Sequence, residues 1–231
     1  MAILECKALS KRFGGIQALD NVDLTVEPGR VVGLLGPNGS GKTTMINLAN
    51  GLLTPSSGEI LVDGKKPGKD TKAIVSYLPD KEYLPEWMTA KQMMDFFEDF
   101  YSDFRREKAM EMLTRLGVSA DMRIKQMSKG TREKVQLILV MSREARLYLL
   151  DEPIGGVDPA TRDYILETII RNYNPEAAVI ISTHLIADVE QVLDDVIFIN
   201  NGRVTLQSSV DDIRGEQGRS VDQYFREVFK C

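Results

Sequence analysis

A glycine-rich segment with a single lysine carries the clearest chemistry in this sequence. It runs from Gly36 to Thr43, with glycines at positions 36, 39 and 41 directly before Lys42. This is the P-loop pattern, in which backbone N–H groups turn toward phosphate oxygens and a following helix adds partial positive charge. We predict that Lys42 contacts the β- and γ-phosphates of a nucleotide and that the Thr43 hydroxyl binds Mg²⁺. The predicted cofactor-binding residues of this loop are Gly36, Asn38, Gly39, Ser40, Gly41, Lys42, Thr43 and Thr44.

Two adjacent carboxylates, Asp151 and Glu152, follow the apolar run 147–150. Neighbouring side chains of an extended segment point in different directions, so one carboxylate can face a metal while the other faces an attacking water. Mg²⁺ prefers hard oxygen ligands, which makes Asp151 the predicted metal ligand and Glu152 the residue that polarises the water. Such a pair alone can simply end a strand, but beside a P-loop it indicates nucleotide hydrolysis.

The only histidine, His184, follows a third apolar run at 178–182. In open parallel sheets the ligand crevice lies beyond the carboxyl ends of the strands, where this histidine would stand. An isolated histidine is more often a surface residue or a hydrogen-bonded core residue. Together with the P-loop, the sequence predicts a catalytic set of Lys42, Glu152 and His184.

The pattern of apolar residues predicts the strands and helices that position these side chains. The continuous apolar run 31–35 predicts a central parallel strand that feeds the P-loop and a helix from 43 to about 50. Alternating polar and apolar residues at 22–26 indicate antiparallel strands, and Asn201 with Gly202 predicts a hairpin turn. Further predicted strands lie at 59–62, 73–78, 147–150, 178–182 and 196–199. The expected fold class is α/β, with a mostly parallel P-loop core and an N-terminal antiparallel β portion.

Between Ala90 and Leu116 the apolar residues recur at helical spacing, which indicates an inserted helical subdomain. Met93, Phe96, Phe97 and Phe100 form a candidate apolar stripe. The methionines suit either an adaptable docking surface or ordinary core packing. We expect one nucleotide-binding domain over 1–231, with an ATPase core at 1–83 and 128–208, a helical subdomain at 84–127 and a C-terminal helical tail at 209–231.

Composition narrows the class of protein. The 231 residues are 43% hydrophobic, enough for one α/β domain with a substantial core. The net charge of −5 argues against a nucleic-acid partner, which would require clustered Lys and Arg. Cys6 and Cys231 have no neighbouring thiol or histidine, which suggests a reducing cytosol. We expect no secretion signal, and the apolar runs fall short of the roughly 20 residues of a spanning helix, so any membrane segment belongs to another chain.

These motifs, in this order, resemble the ABC ATPase family over nearly the whole chain. The segment from Met127 to Thr131 resembles the family's signature, Val157 and Asp158 its D-loop, and His184 its switch histidine. Phe13 resembles the aromatic residue that stacks on adenine, with core packing as the alternative. The resemblance implies ATP and Mg²⁺ as cofactors. It also implies a head-to-tail dimer in which Ser128 and Gly130 of one copy close over the γ-phosphate bound by the other. Asp158, in the segment that resembles the D-loop, is a further predicted nucleotide-binding residue.

Two departures from the family pattern bear on the site. The signature usually reads Leu-Ser-Gly-Gly-Gln, whereas its first, third and fifth positions here are Met127, Lys129 and Thr131. The family's Q-loop glutamine is replaced by Asp80, and no glutamine lies between Ala18 and Lys91. We predict that Asp80 joins Thr43 and Asp151 as a metal ligand, with a solvated turn residue as the alternative.

The resemblance implies an ATP-hydrolysing subunit of a membrane transporter. Its partners would be a transmembrane permease and a second nucleotide-binding subunit, identical or similar, at the cytoplasmic face of the membrane. The relaxed signature is similar to drug, antibiotic and lipid exporter subfamilies more than to importers. The alternative is a soluble ABC ATPase of translation or DNA repair. Candidate permease contacts, with simple burial as the alternative, are Leu84, Pro85, Trp87 and Met88.

Overall fold

A computed structural model describes residues 1–229, so the prediction made for Cys231 lies outside the described residues. The strands are β1 (Leu4–Phe13), β2 (Ile16–Val26), β3 (Val31–Leu35), β4 (Ser57–Val62), β5 (Val75–Leu78), β6 (Leu147–Asp151), β7 (Ala178–Thr183), β8 (Asp195–Asn200) and β9 (Arg203–Ser209). The helices are α1 (Lys42–Ala49), α2 (Lys69–Lys72), α3 (Ala90–Phe100), α4 (Arg106–Arg115), α5 (Lys129–Met141), α6 (Pro159–Asn172), α7 (Ile186–Val189), α8 (Val210–Gln217) and α9 (Val221–Phe229). Short 3₁₀ turns lie at Ile124–Gln126 and Glu190–Val192.

The larger sheet has the strand order β5-β6-β7-β3-β8-β9. Its neighbours are parallel from β5 to β8, and only β9 runs antiparallel to β8. All five residues of β3 are buried, as expected for a central parallel strand covered on both faces. The predicted mostly parallel core is confirmed. Since β3, β6 and β7 are parallel neighbours, their carboxyl ends meet at one edge of the sheet.

A separate three-stranded antiparallel sheet has the order β2-β1-β4, which confirms the predicted N-terminal antiparallel portion. The predicted hairpin is also present. Asn201 and Gly202 both have positive φ, 46° and 77°, and they join β8 to β9. A two-residue turn of this handedness matches the twist of antiparallel strands.

One predicted strand begins too early. The prediction started at Ala73, but β5 begins at Val75. The reason is local, because α2 occupies the preceding residues and the N–H of Ile74 donates to the carbonyl of Thr71.

The region between β5 and α5 is helical, and it encloses its own apolar cluster together with one side of α5. The buried methionines of this cluster, which favour core packing over a docking surface, are Met93, Met94, Met112 and Met127.

The predicted stripe on α3 is partly wrong, because the side chains of Phe96 and Phe100 are 46% and 68% exposed while Met94 is buried. The inward face of α3 follows 90, 93, 94 and 97, the helical spacing that places residues on one side. No helix of the described residues is both long enough and apolar enough for a membrane crossing.

Candidate functional site

The P-loop joins β3 to α1 at the carboxyl edge of the large sheet. Gly39 and Gly41 have φ of 79° and 112°, a left-handed region that favours glycine. At Gly36 an added Cβ would lie 2.3 Å from the carbonyl oxygen of Ile199, so lack of space requires glycine at this position. The glycines therefore permit the tight backbone turns by which a P-loop can direct its N–H groups toward phosphate.

Lys42 is buried within this loop. Its Nζ donates to the carbonyl oxygens of Gly36, at 2.8 Å, and Pro37, at 3.3 Å. The same amine lies 3.4 Å from Oε1 of Glu152. The ammonium group is thus surrounded by protein oxygens, which a phosphate oxygen could replace.

Asp151 ends β6 directly opposite the P-loop helix and is 1% exposed. Its Oδ1 accepts hydrogen bonds from the hydroxyls of Thr43, at 3.2 Å, and Ser182, at 2.5 Å. Its Oδ2 is buried and has no hydrogen-bond partner among the residues that the structure describes. A buried carboxylate oxygen left without a partner is costly unless a cation or water completes it. The donor set of Asp151 Oδ2 and the Thr43 hydroxyl fits a hard cation such as Mg²⁺.

The electrostatics of Asp151 agree with that fit. Burial raises the pKa of its carboxyl above the ordinary value, while the two hydroxyl hydrogen bonds act in the opposite direction. The negative charges of Asp80 and Glu152 raise this pKa further. A bound cation would relieve both the desolvation and the repulsion.

Ser182 is a site residue that sequence reasoning treated only as part of a strand. It is fully buried in β7, where the register places it beside Asp151. Besides donating to Asp151, its Oγ accepts from the backbone N–H of Glu152 at 3.1 Å. One hydroxyl therefore fixes both adjacent acidic residues. The available signal was a polar pair, Ser182 and Thr183, at the end of an apolar run.

Glu152 stands just beyond β6 with a left-handed φ of 49°. Its Oε2 lies 3.1 Å from Nδ1 of His184, and its Oε1 faces Lys42. Gly155 lies against it, and a Cβ there would be 3.2 Å from the carbonyl oxygen of Glu152. The structure thus brings the three predicted catalytic side chains together around one carboxylate.

A cleft of about 600 Å³ opens beside this group. Its lining includes Asn38 of the P-loop, Asp80, Glu152 and His184. Asp80 is exposed on the loop after β5, close enough for its charge to act on Asp151. A solvated turn residue would be exposed, as Asp80 is, but would not need to share a cleft with Glu152 and His184. The role of Asp80 as a metal ligand stays a prediction.

The signature residues lie at the start of α5. Ser128 is the N-cap of α5, where its Oγ accepts from the N–H of Thr131 at 3.2 Å. At Gly130 an added Cβ would meet no atom within 4 Å. Neither residue lines the cleft in the part of the chain that the structure describes. Lys129, which stands between them in the signature, does line it.

Asp158 and Phe13 are the remaining predicted nucleotide-binding residues. Asp158 caps α6, with Oδ1 accepting from the N–H of Thr161 at 3.1 Å and Oδ2 from its hydroxyl at 2.7 Å. Phe13 ends β1 and is 44% exposed, so the core-packing alternative is wrong. The Nζ of Lys11 lies 5.0 Å from its ring centroid. The nucleotide roles of both residues stay predictions.

Comparison with known proteins identifies the family. The family model described as ABC transporter matches residues 19–155. The chain is 32% identical over 218 residues to ABC transporter ATP-binding protein YtrB of Bacillus subtilis (strain 168), covering 93% of this chain and 74% of that protein. It is 31% identical over 242 residues to the ABC-type transporter ATP-binding protein EcsA of the same organism, covering 100% and 98%.

A solved structure agrees over the whole fold. It is described as an ATP binding subunit of an ABC transporter and superposes with a TM-score of 0.86 at 29% identity, covering 98% of this chain and 99% of that one. The P-loop, the paired carboxylates and this agreement over nearly the full length lead to one conclusion. The chain belongs to the ABC transporter family, as a member of its ATP-binding subunits.

Proposed function

We propose that this chain binds Mg²⁺-ATP at the P-loop and hydrolyses it, as one of two nucleotide-binding subunits that power a separate transmembrane permease. The observation that carries the proposal is the arrangement of the two carboxylates. Asp151 has one buried oxygen that accepts no hydrogen bond from the described residues, and its other oxygen accepts from Thr43. Glu152 is held between Lys42 and His184. Metal binding and water activation are thereby divided between neighbouring residues.

The residues act in a definite order in this proposal. When ATP enters, Lys42 exchanges its carbonyl partners and Glu152 for phosphate oxygens, which releases the Glu152 carboxylate. Glu152 then accepts a hydrogen bond from the attacking water and orients it in line with the γ-phosphate. His184, which already contacts Glu152, holds that carboxylate in place. Mg²⁺, held by Thr43 and Asp151 with Asp80 nearby, would neutralise charge on the phosphates.

A second subunit completes the site in this proposal. Ser128 and Gly130 lie at the exposed start of α5, with open space at Gly130 and with the N–H groups of a helix N-terminus. This is a suitable surface for the γ-phosphate held by a facing copy. The second subunit is identical or similar to this one.

The proposed permease contact is the groove between α3 and β5. It has a volume of about 400 Å³, and its lining includes Leu52, Tyr83 and Phe96, which are 54%, 40% and 46% exposed. Exposed aromatic and aliphatic side chains around a groove suit an apolar segment of a partner. Of the predicted border residues, Leu84 is buried in the helical cluster while Trp87 is 71% exposed. Burial therefore accounts for Leu84, and Trp87 remains a candidate contact.

Two further parts of the proposal concern the domain organisation of the chain and the direction of transport. The proposed organisation is a helical subdomain at 84–127 set in an ATPase core at 1–83 and 128–208, followed by a C-terminal tail from 209. The apolar cluster shared with α5 supports the subdomain, and α8 and α9 support a helical tail as far as residue 229. The relaxed signature at Met127, Lys129 and Thr131 supports export over import. In this arrangement the chain lies at the cytoplasmic face of the membrane, bound through the permease.

The permease contact can be tested directly. Tagged chain recovered from membranes in mild detergent should bring an integral membrane protein with it, and Phe96→Asp should release that protein without changing ATP affinity. A chain that hydrolyses ATP but never retains a membrane protein, whether wild type or variant, would argue for a soluble ABC ATPase instead.

A further inference from the structure

Gln136 is a buried polar residue in the most apolar stretch of α5. It is 4% exposed, and its neighbours from Val135 to Met141 are otherwise buried apolar side chains. Buried amides are nearly always hydrogen-bonded, so the partners of this one indicate what it holds. Neither the P-loop nor the paired carboxylates account for its presence.

Both polar ends of Gln136 bind the backbone of the loop that carries Asp80. Its Nε2 donates to the carbonyl oxygen of Pro79 at 3.4 Å, and its Oε1 accepts from the N–H of Tyr83 at 3.3 Å. These two backbone groups lie on either side of Asp80 in the sequence. One side chain therefore spans the loop and sets the path of the backbone around Asp80.

A second, weaker contact joins the same loop to α5. Arg132 Nε donates to Glu82 Oε2 at 2.8 Å, with the two side chains 23% and 33% exposed. Partly exposed ion pairs contribute little to holding a backbone in place, because water competes for both charges. The buried amide is the contact that fixes the loop.

We propose that Gln136 is a positioning residue that holds the segment from Pro79 to Tyr83, and with it Asp80, at the cation site. The inference rests on the function proposed above, in which Asp80 contributes to Mg²⁺ binding. Gln136 lies about two helical turns after Ser128, so one rigid helix joins the exposed signature residues to the loop of Asp80. Gln136 of α5 thus orders the loop in which Asp80 replaces the family's Q-loop glutamine.

The test is the free Mg²⁺ concentration that half-saturates ATP binding, measured by calorimetry in a Glu152→Gln background so that no hydrolysis intervenes. Gln136→Met keeps the side-chain volume but removes both hydrogen bonds, and we expect this concentration to rise about fivefold. In an Asp80→Ala background the same substitution should cause no further change. Ser142→Ala is the matched control, because it removes a buried hydrogen bond to the Ile138 carbonyl on the same helix without touching the loop.

A second readout follows the loop itself. Exchange of the Tyr83 amide hydrogen should become about fivefold faster in Gln136→Met and should be unchanged in Ser142→Ala. If Gln136→Met does not fold, Gln136→Glu keeps the acceptor for Tyr83 but loses the donor to Pro79, and the half-saturating Mg²⁺ concentration should still rise.

The outcomes separate the two proposals. If the background protein binds ATP without any Mg²⁺ dependence, the proposed metal-dependent function is wrong and this inference falls with it. If binding depends on Mg²⁺ but folded Gln136→Met has the same half-saturation, only the role of Gln136 is wrong. An equal shift in the Asp80→Ala background would also overturn it, since Gln136 would then act by a route other than Asp80.

Discussion

The Nζ of Lys42 lies 3.4 Å from Oε1 of Glu152, and both side chains are largely buried. These two opposite charges neutralise each other. In this account a phosphate that pairs with Lys42 takes the place of Glu152, so nucleotide binding also frees the water-activating carboxylate.

Lys42→Ala should weaken ATP binding by about a hundredfold, because charge-assisted hydrogen bonds to phosphate are each worth about 2–3 kcal/mol. Fluorescence or calorimetric titration with ATP checks this. Lys81→Ala is the control, since Lys81 is an exposed lysine of the same cleft and its loss should cost less than about threefold. Equal losses in the two variants would mean that the P-loop lysine has no special contact.

Asp80 should make hydrolysis depend more steeply on free Mg²⁺ than glutamine does at this position. When metal is scarce, its charge opposes charge on the phosphate, and we expect activity about fivefold below that of Asp80→Gln, or about 1 kcal/mol. Saturating Mg²⁺ should remove the difference. Asp80→Asn separates charge from shape. Superimposable Mg²⁺ dependences for the three forms in the assembled transporter would leave Asp80 as a turn residue only.

The site composed of two chains predicts complementation between inactive variants. Lys42→Ala and Ser128→Arg each destroy both sites of a homodimer, whereas a mixed dimer regains one. With random pairing, the mixture should recover about a quarter of wild-type activity. The check is the ATPase rate after heterodimers have been confirmed by differential tagging. No recovery in confirmed heterodimers would contradict independent sites that use Ser128 of the facing chain.

Arg143 should contribute strongly to stability. It is 2% exposed, its guanidinium pairs with Asp103 at 2.9 Å and lies 3.7 Å from the ring centroid of Tyr101. Arg143→Met leaves Asp103 without its partner and should lower the free energy of unfolding by about 3–5 kcal/mol.

The matched control for that prediction is Arg105→Met. Its ion pair with Glu144 joins side chains that are 49% and 50% exposed, so we expect a much smaller loss than for Arg143→Met. Urea unfolding measures both variants. Similar losses in the two would show that burial of Arg143 is not the source of its effect.

The parts of the fold that the sequence predicted are those governed by local rules. The P-loop, the carboxylate pair and the hairpin at Asn201 each depend on backbone conformations or strand ends that short patterns specify. The face of α3 was harder, because Phe96 and Phe100 compete with Met94 for the same helical spacing. Only packing against α5 decides which of these side chains points inward.

Residues whose partners come from distant segments were not predictable from patterns. Ser182 meets Asp151 through the register of β6 and β7, and Gln136 meets Pro79 through the placement of α5 beside the loop. Neither pairing leaves a local signature. Asp80 could be proposed for the site only because it stands where the resembling family has its Q-loop glutamine, and its charge does act on Asp151 in the folded chain.

The most direct test of the account is the oligomeric state of Glu152→Gln with and without Mg²⁺-ATP. This variant should bind ATP but stall hydrolysis, so size-exclusion chromatography with light scattering should show conversion from monomer to a long-lived dimer. Lys42→Ala should stay monomeric under the same conditions. If Glu152→Gln turns over ATP at nearly the wild-type rate, or stays monomeric with ATP bound, the assignment of Glu152 and the closing of two copies around ATP are contradicted.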